Sequence, residues 1–169
     1  SLAQEYPHLK LSGYTLSNKQ VEQAKIVIEQ NQLQERLQIE CKDSVVEALP
    51  FECDLILGFE VVHHIKDKLT LFENVCGHLN EGGRILLSDF VSYMGNDINH
   101  TLSSSYFITQ DKWVELASQR GLLLKRVVNV SENIANFLYD PDLKSNIAKI
   151  KSPDVINALT SYDQLYSLL

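Results

Sequence analysis

The sequence predicts an α/β fold: a Rossmann-like, doubly wound and mostly parallel sheet with helices packed on it. Three observations carry this. Apolar runs of strand length alternate with amphipathic runs of helix length along nearly the whole chain. Hydroxyl residues that cap helices stand just after a strand signal at Ser17 and just before a helical run at Thr109. No repeat, low-complexity tract or linker interrupts the alternation, so residues 1–169 read as a single domain.

The elements follow in order. Ser1–Tyr6 looks like the tail of a helix, and Leu9–Tyr14 is a short strand after Pro7. Ser17-Asn-Lys-Gln20 reads as a capping box, with Ser17 as the N-cap and Gln20 reaching back. Val21, Ala24, Val27 and Ile28 then recur at helical spacing to about Gln30. Leu37–Cys41 alternates as a strand, and Asp54–Gly58 is a buried strand. Leu69, Phe72, Val75, Cys76 and Leu79 line one helix face, with Gly82-Gly83 as its stop. Arg84–Phe90 is the next strand, and the polar stretch from Val91 to Phe107 is a long loop of the functional kind. Thr109 caps a helix carrying Trp113, Leu116 and Ala117, closed by Gly121. Leu122–Val130 is a last strand, and Glu132–Leu169 is mostly helical, with breaks at Asp140-Pro141 and Ser152-Pro153.

Composition bounds the function. The chain is 44% hydrophobic, which supports a packed core and excludes disorder. Its 22 acidic and 15 basic side chains give a net charge of -7, against nucleic acid as the main partner, because phosphates require a basic face. No apolar run approaches the roughly 18 residues of a membrane span. Cys41, Cys53 and Cys76 lack C-x-x-C spacing and read as reduced thiols. With no cleavable signal at Ser1, the expected location is cytoplasmic.

Sheets of this type bind ligands at the carboxyl ends of their strands. After the first strand, Thr15 and Gln20 bracket a helix start; a hydroxyl and an amide there suit a ribose diol, although helix capping is their ordinary use. After the second, Asp43 can accept an amine hydrogen bond from an adenine, with Ser44 beside it; Asp and Ser also favour plain turns. After the third come Gly58, which lets a ligand approach the backbone, then Phe59, the carboxylate of Glu60 and the histidines His63 and His64. Adjacent histidines diverge and do not share a metal, so no metal site is expected; one of them caps or packs the next helix. After the fourth strand, His100 lies in the long loop. It is either a solvated surface residue or a general base, since imidazole titrates near neutrality.

Taken together, these residues resemble the class I S-adenosylmethionine-dependent methyltransferases. Gly13-Tyr-Thr-Leu-Ser-x-x-Gln20 is similar to a turn of the cyclopropane and mycolic-acid synthase branch. Leu57-Gly-Phe-Glu-Val-Val-His-His-Ile65 is similar to the segment after the fourth strand in that branch and in quinone-biosynthesis methyltransferases. Leu79-Asn-Glu-Gly-Gly-Arg-Ile-Leu86 resembles the family's step into its fifth strand. Ser103–Phe107, Trp113–Leu116 and Val130–Pro141 resemble methyltransferase domains embedded in modular polyketide synthases, the O-methylating type above the α-carbon type.

The resemblance implies S-adenosylmethionine as cofactor and a natural-product setting. It implies an acyl carrier protein-linked acyl substrate and neighbouring synthase domains as partners. On it, Thr15 and Gln20 contact the ribose, Asp43 and Ser44 the adenine, and Gly58 and Phe59 the methionine arm. His100 is the implied catalytic base, and Glu60 the acidic residue that orients it or stabilises its imidazolium. The family opens with a central strand and a Gly-rich turn, and closes with an antiparallel strand. Neither is recognisable here, so the chain is expected to be a partial methyltransferase core, unstable and weak in donor binding by itself. Two other activities remain open: C-methylation of a β-ketoacyl thioester, and a degenerate, non-catalytic methyltransferase domain. A nicotinamide dehydrogenase is excluded by the lack of G-x-G-x-x-G.

Overall fold

The computed structural model describes residues 2–138 together with Asp142, Ser145 and Lys149. The breaks expected at Asp140-Pro141 and Ser152-Pro153 lie outside the described residues. The chain divides into two compact units, Ser1–Ile56 with Asp67–Leu86, and Leu57–Lys66 with Leu87–Leu169. Among the described residues the strands form three two-stranded sheets.

In the first unit, α1 (Leu2–Glu5) leads to β1 (Leu11–Thr15), α2 (Asn18–Gln30) and β2 (Leu37–Cys41). β1 and β2 run parallel, from Leu11 opposite Leu37 to Thr15 opposite Cys41. Gly13 faces Ile39 in this register, and a Cβ on Gly13 would lie 2.7 Å from Ile39 Cδ1. Ala3, Ile28 and Leu33 form the core, with Leu11, Leu37 and Ile39 packed on it. The buried face of α2 is Val21 and Ile28; Val27, read from spacing as inward, points outward. Arg36 ties this end together by donating to Ala3 O, to Leu9 O at 3.4 Å and to Tyr6 O at 3.5 Å. A guanidinium there supplies several donors to backbone carbonyls in and just after α1.

β3 (Cys53–Phe59) and β4 (Leu79–Ser88) pair with each other. α3 (Lys68–Cys76) begins at Asp67, whose carboxylate accepts from Thr70 N at 3.0 Å, which holds that carboxyl below its ordinary value. Leu71, Phe72 and Val75 bury its apolar stripe, and Asn74 donates to Ser44 O at 2.9 Å and Glu47 O at 2.7 Å. The helix stops at Gly77, five residues before the glycine pair read as its end. Gly82 and Gly83 instead lie inside β4, where Gly82 has φ 77° and a Cβ on Gly83 would meet Leu79 Cγ at 2.7 Å. They lie within a strand rather than close a helix. No strand among the described residues joins β1 to β3, and Leu55 and Leu86 stay half exposed where a central parallel strand is normally covered.

In the second unit, a 3-10 turn (Val62–His64) follows β3. The stretch read as one long loop contains a small antiparallel hairpin, β5 (Ile98–His100) with β6 (Ser105–Phe107), joined through a 3-10 turn at Thr101–Ser103. Thr109 caps α4 (Gln110–Ser118) by accepting from Lys112 N at 3.3 Å, as its spacing predicts. The expected strand Leu122–Val130 is not one: Leu123–Val130 are exposed and extend without a ladder partner among the described residues. Apolar, β-branched residues fulfil strand propensity only when a neighbour satisfies their backbone. α5 (Ser131–Leu138) begins the helical region expected there.

Candidate active site

Thr15 ends β1, and Ser17 caps α2 by accepting from Gln20 N at 3.3 Å. Gln20 does not reach back to the cap as a capping box requires. Its Oε1 accepts from the Thr15 hydroxyl, and Thr15 Oγ1 accepts from Ser17 N at 3.3 Å. The strand end, the cap and the first helical turn are thereby locked together, with a hydroxyl and a carboxamide side by side. Asp43 forms the turn that its residue type favours: Oδ1 accepts from Val45 N at 2.9 Å, leaving Oδ2 as an acceptor. Ser44 is fixed through its carbonyl by Asn74. This donor set fits a ribose diol and an exocyclic amine.

In the second unit, Gly58 is buried, and a Cβ there would meet Leu87 Cδ2 at 3.0 Å and Val62 Cγ2 at 3.3 Å. Phe59 beside it is 57% exposed, an apolar ring open to a ligand. Glu60 has φ 50° while its N–H donates to Ser88 O at 2.7 Å. A left-handed non-glycine costs about 1–2 kcal/mol, so the fold imposes this turn at the mouth of β3.

What holds that turn is a pair the sequence reading did not bring together. His63 Nδ1 lies 2.6 Å from Asp89 Oδ1, with side chains 8% and 4% exposed. Asp89 Oδ2 accepts from Val62 N at 2.6 Å and His63 N at 3.2 Å, and Oδ1 accepts from Phe90 N at 2.8 Å. Burial pushes the Asp89 carboxyl up, but the hydrogen bonds from His63, Phe90 and Val62 outweigh it and hold the carboxyl below its ordinary value. The His63 ring stacks on Phe107 at 5.5 Å and meets Phe90 edge-on at 5.3 Å. His63 thus packs against Asp89, Phe90 and Phe107 rather than against the next helix, which Asp67 caps. The available signal was positional: both residues follow strands that pair, 26 positions apart.

His64 Nδ1 lies 3.0 Å from Ser104 O, which fixes its proton on that nitrogen. His100 closes β5 rather than floating in a loop, and its Nδ1 lies 2.6 Å from Ser103 Oγ. No hydrogen bond among the described residues joins Glu60 to His100; Ser103 is one of the contacts of His100. No group of three metal-ligating side chains occurs among the described residues, and none of their helices is long and apolar enough to cross a membrane.

Known proteins are similar to this chain in sequence and fold. The methyltransferase domain family matches residues 1–85. The chain belongs to that family. It is 36% identical over 149 residues to the polyketide synthase ThaQ of Burkholderia thailandensis, across 88% of this chain and 7% of that protein. Among solved structures it is similar to the O-methyltransferase of a trans-AT polyketide synthase multienzyme of Brevibacillus brevis, in complex with S-adenosyl-L-homocysteine. There the TM-score is 0.90 and the identity 34%, over 99% of this chain and 56% of that one. The StiE O-methyltransferase domain matches at TM-score 0.83 and 36% identity, over 98% of this chain and 56% of that one. The fold is therefore the class I methyltransferase α/β fold, and the chain spans a little over half of those solved domains.

Proposed function

We propose that this methyltransferase domain transfers a methyl group from S-adenosylmethionine to a hydroxyl of an acyl chain carried by an acyl carrier protein, among neighbouring polyketide synthase domains. The observation that carries the reading is the likeness, over 99% of the chain, to a polyketide synthase O-methyltransferase solved with the demethylated donor. The Thr15–Gln20 pair and the open Asp43 oxygen supply polar groups of the right kind.

When bound, the donor supplies a methyl group on a sulfonium, already a strong electrophile. Thr15 and Gln20 hold the ribose, Asp43 and Ser44 the adenine, and Gly58 and Phe59 line the methionine arm. Holding the acceptor oxygen in line is worth up to about 7–11 kcal/mol in ideal cases. An alcohol ionises far above neutrality, so its proton must leave as the new bond forms. His100 takes that proton, and Glu60 is the acidic residue that stabilises the imidazolium. Because the chain is acidic at -7, an acidic carrier gains nothing from global attraction. Tethering within a multienzyme supplies an effective concentration of about a millimolar instead.

The test is methylation of a hydroxyacyl thioester by His100→Ala and His100→Gln. Turnover is expected to fall about 10²–10⁴-fold with S-adenosyl-L-homocysteine affinity unchanged. Near parental turnover at saturating substrate rules out the base.

A further inference from the structure

The hydroxyls of Ser103 and Ser105 form a short relay against His100. His100 Nδ1 is 2.6 Å from Ser103 Oγ, Ser103 Oγ is 2.9 Å from Ser105 Oγ, and Ser105 Oγ is 3.3 Å from Ser103 O. Ser105 is wholly buried, so its hydroxyl is satisfied by protein alone. Ser103 Oγ also lies 3.4 Å from His100 O, a longer alternative acceptor for its one proton. Through the shorter contacts, two proton arrangements connect these atoms. In one, His100 Nδ1–H donates to Ser103, Ser103 to Ser105, and Ser105 to the Ser103 carbonyl, which makes three hydrogen bonds. In the other, Ser105 donates to Ser103 and Ser103 to an unprotonated Nδ1, which makes two and leaves the carbonyl without the serine proton. The first arrangement is complete, ends on an acceptor that can only accept, and gives Ser105 one bond in and one bond out.

We infer that Ser103, itself aligned by Ser105, is a positioning residue that holds His100 as its Nδ1–H tautomer and so makes Nε2 the basic nitrogen. The inference rests on the reading of His100 as the base, and it gives that base a supporting group. The backbone agrees with it. Ser104 is left-handed, at φ 49° and ψ 47°, which folds the chain so that Ser103 and Ser105 stand on the same side, facing His100 across the β5–β6 register. Ser104 O, turned by the same conformation, accepts from His64. The strain at Ser104 is thus maintained by hydrogen bonds on either side of it.

A neutral serine imposes a tautomer through one hydrogen bond. Such a bond shifts a two-state equilibrium by about 2–13-fold. Losing it is therefore expected to lower turnover by a factor in that range, well short of the loss on removing the base.

The experiment is imidazole ¹⁵N–¹H correlation spectroscopy of the ¹⁵N-histidine-labelled full chain above the histidine titration, with His100 assigned from the signal missing in His100→Gln. The parent should show His100 protonated on Nδ1. Ser103→Ala and Ser105→Ala should both move it toward the Nε2–H form, with the His63 and His64 signals unmoved as evidence of folding, and Ser103→Thr should restore it. In the methylation assay, Ser103→Ala should lower kcat by about 2–13-fold with the S-adenosyl-L-homocysteine affinity unchanged. A parental Nε2–H tautomer, or a tautomer indifferent to both alanines, overturns the inference. The spectrum judges Ser103 and turnover of His100→Ala judges the base, so either can fail without the other.

Discussion

Asp89→Asn tests the part of the site that the structure describes most fully. Asp89 accepts four hydrogen bonds, two on each oxygen: His63 Nδ1 and Phe90 N on Oδ1, and Val62 N and His63 N on Oδ2. An asparagine has one acceptor oxygen. On the Oδ2 side its NH₂ faces two backbone N–H donors, on the Oδ1 side the Phe90 N–H and His63 Nδ1, and the carboxylate charge beside His63 is gone. At 4% exposure solvent cannot replace the lost acceptor. Breaking such a buried pair from one side costs about 3–5 kcal/mol. At about 2–4 °C per kcal/mol in a protein of this size, the melting temperature falls by about 6–20 °C. The assay is thermal unfolding followed by circular dichroism across a pH series. Because the Asp89 carboxyl is held below its ordinary value, its contribution is complete above the unfolded carboxyl value of about 3.9 and is lost as pH falls through the lower folded one. The gap between parent and variant should therefore be full at pH 7.5 and narrow below about pH 4. Equal melting temperatures at pH 7.5, or a gap that widens on acidification, would refute the reasoning.

Three further outcomes follow from the same geometry. Ser17→Ala removes the N-cap acceptor of α2 and should cost about 1 kcal/mol in chemical denaturation; no loss would mean that Thr15 and Gln20 hold the turn without it. Gly83→Ala places a methyl group 2.7 Å from Leu79 Cγ and 2.8 Å from Asn80 O, and should destabilise by about 1–3 kcal/mol, measured the same way. Thr15→Val and Asp43→Ala should each weaken S-adenosyl-L-homocysteine binding by about 2–13-fold in calorimetry; an unchanged affinity removes that residue from the donor site.

Local chemistry made much of the fold legible. A hydroxyl cap and 3.6-residue spacing located α2, and an alternating run located β2 to the residue. The errors arose where the outcome depends on a partner distant in sequence. Leu122–Val130 has the composition of a strand, but nothing among the described residues pairs with it. Gly82-Gly83 follows an apolar helical run closely enough to resemble its stop. Gly77 ends the helix first, and the pair lies inside β4. The candidate site was legible as residue types at strand ends. It was not legible as bonds: His63 meets Asp89 only because β3 pairs with β4, and His100 meets Ser103 only because β5 turns back to pair with β6.

The central claim concerns the acceptor atom. The most direct measurement supplies isotopically labelled S-adenosylmethionine with matched hydroxyacyl and ketoacyl thioesters on a carrier protein, and locates the label by mass spectrometry and NMR. A labelled methyl ether from the hydroxyacyl chain is expected, abolished in His100→Gln. A label on the α-carbon of the ketoacyl chain, or no transfer by protein that binds the donor, would contradict it.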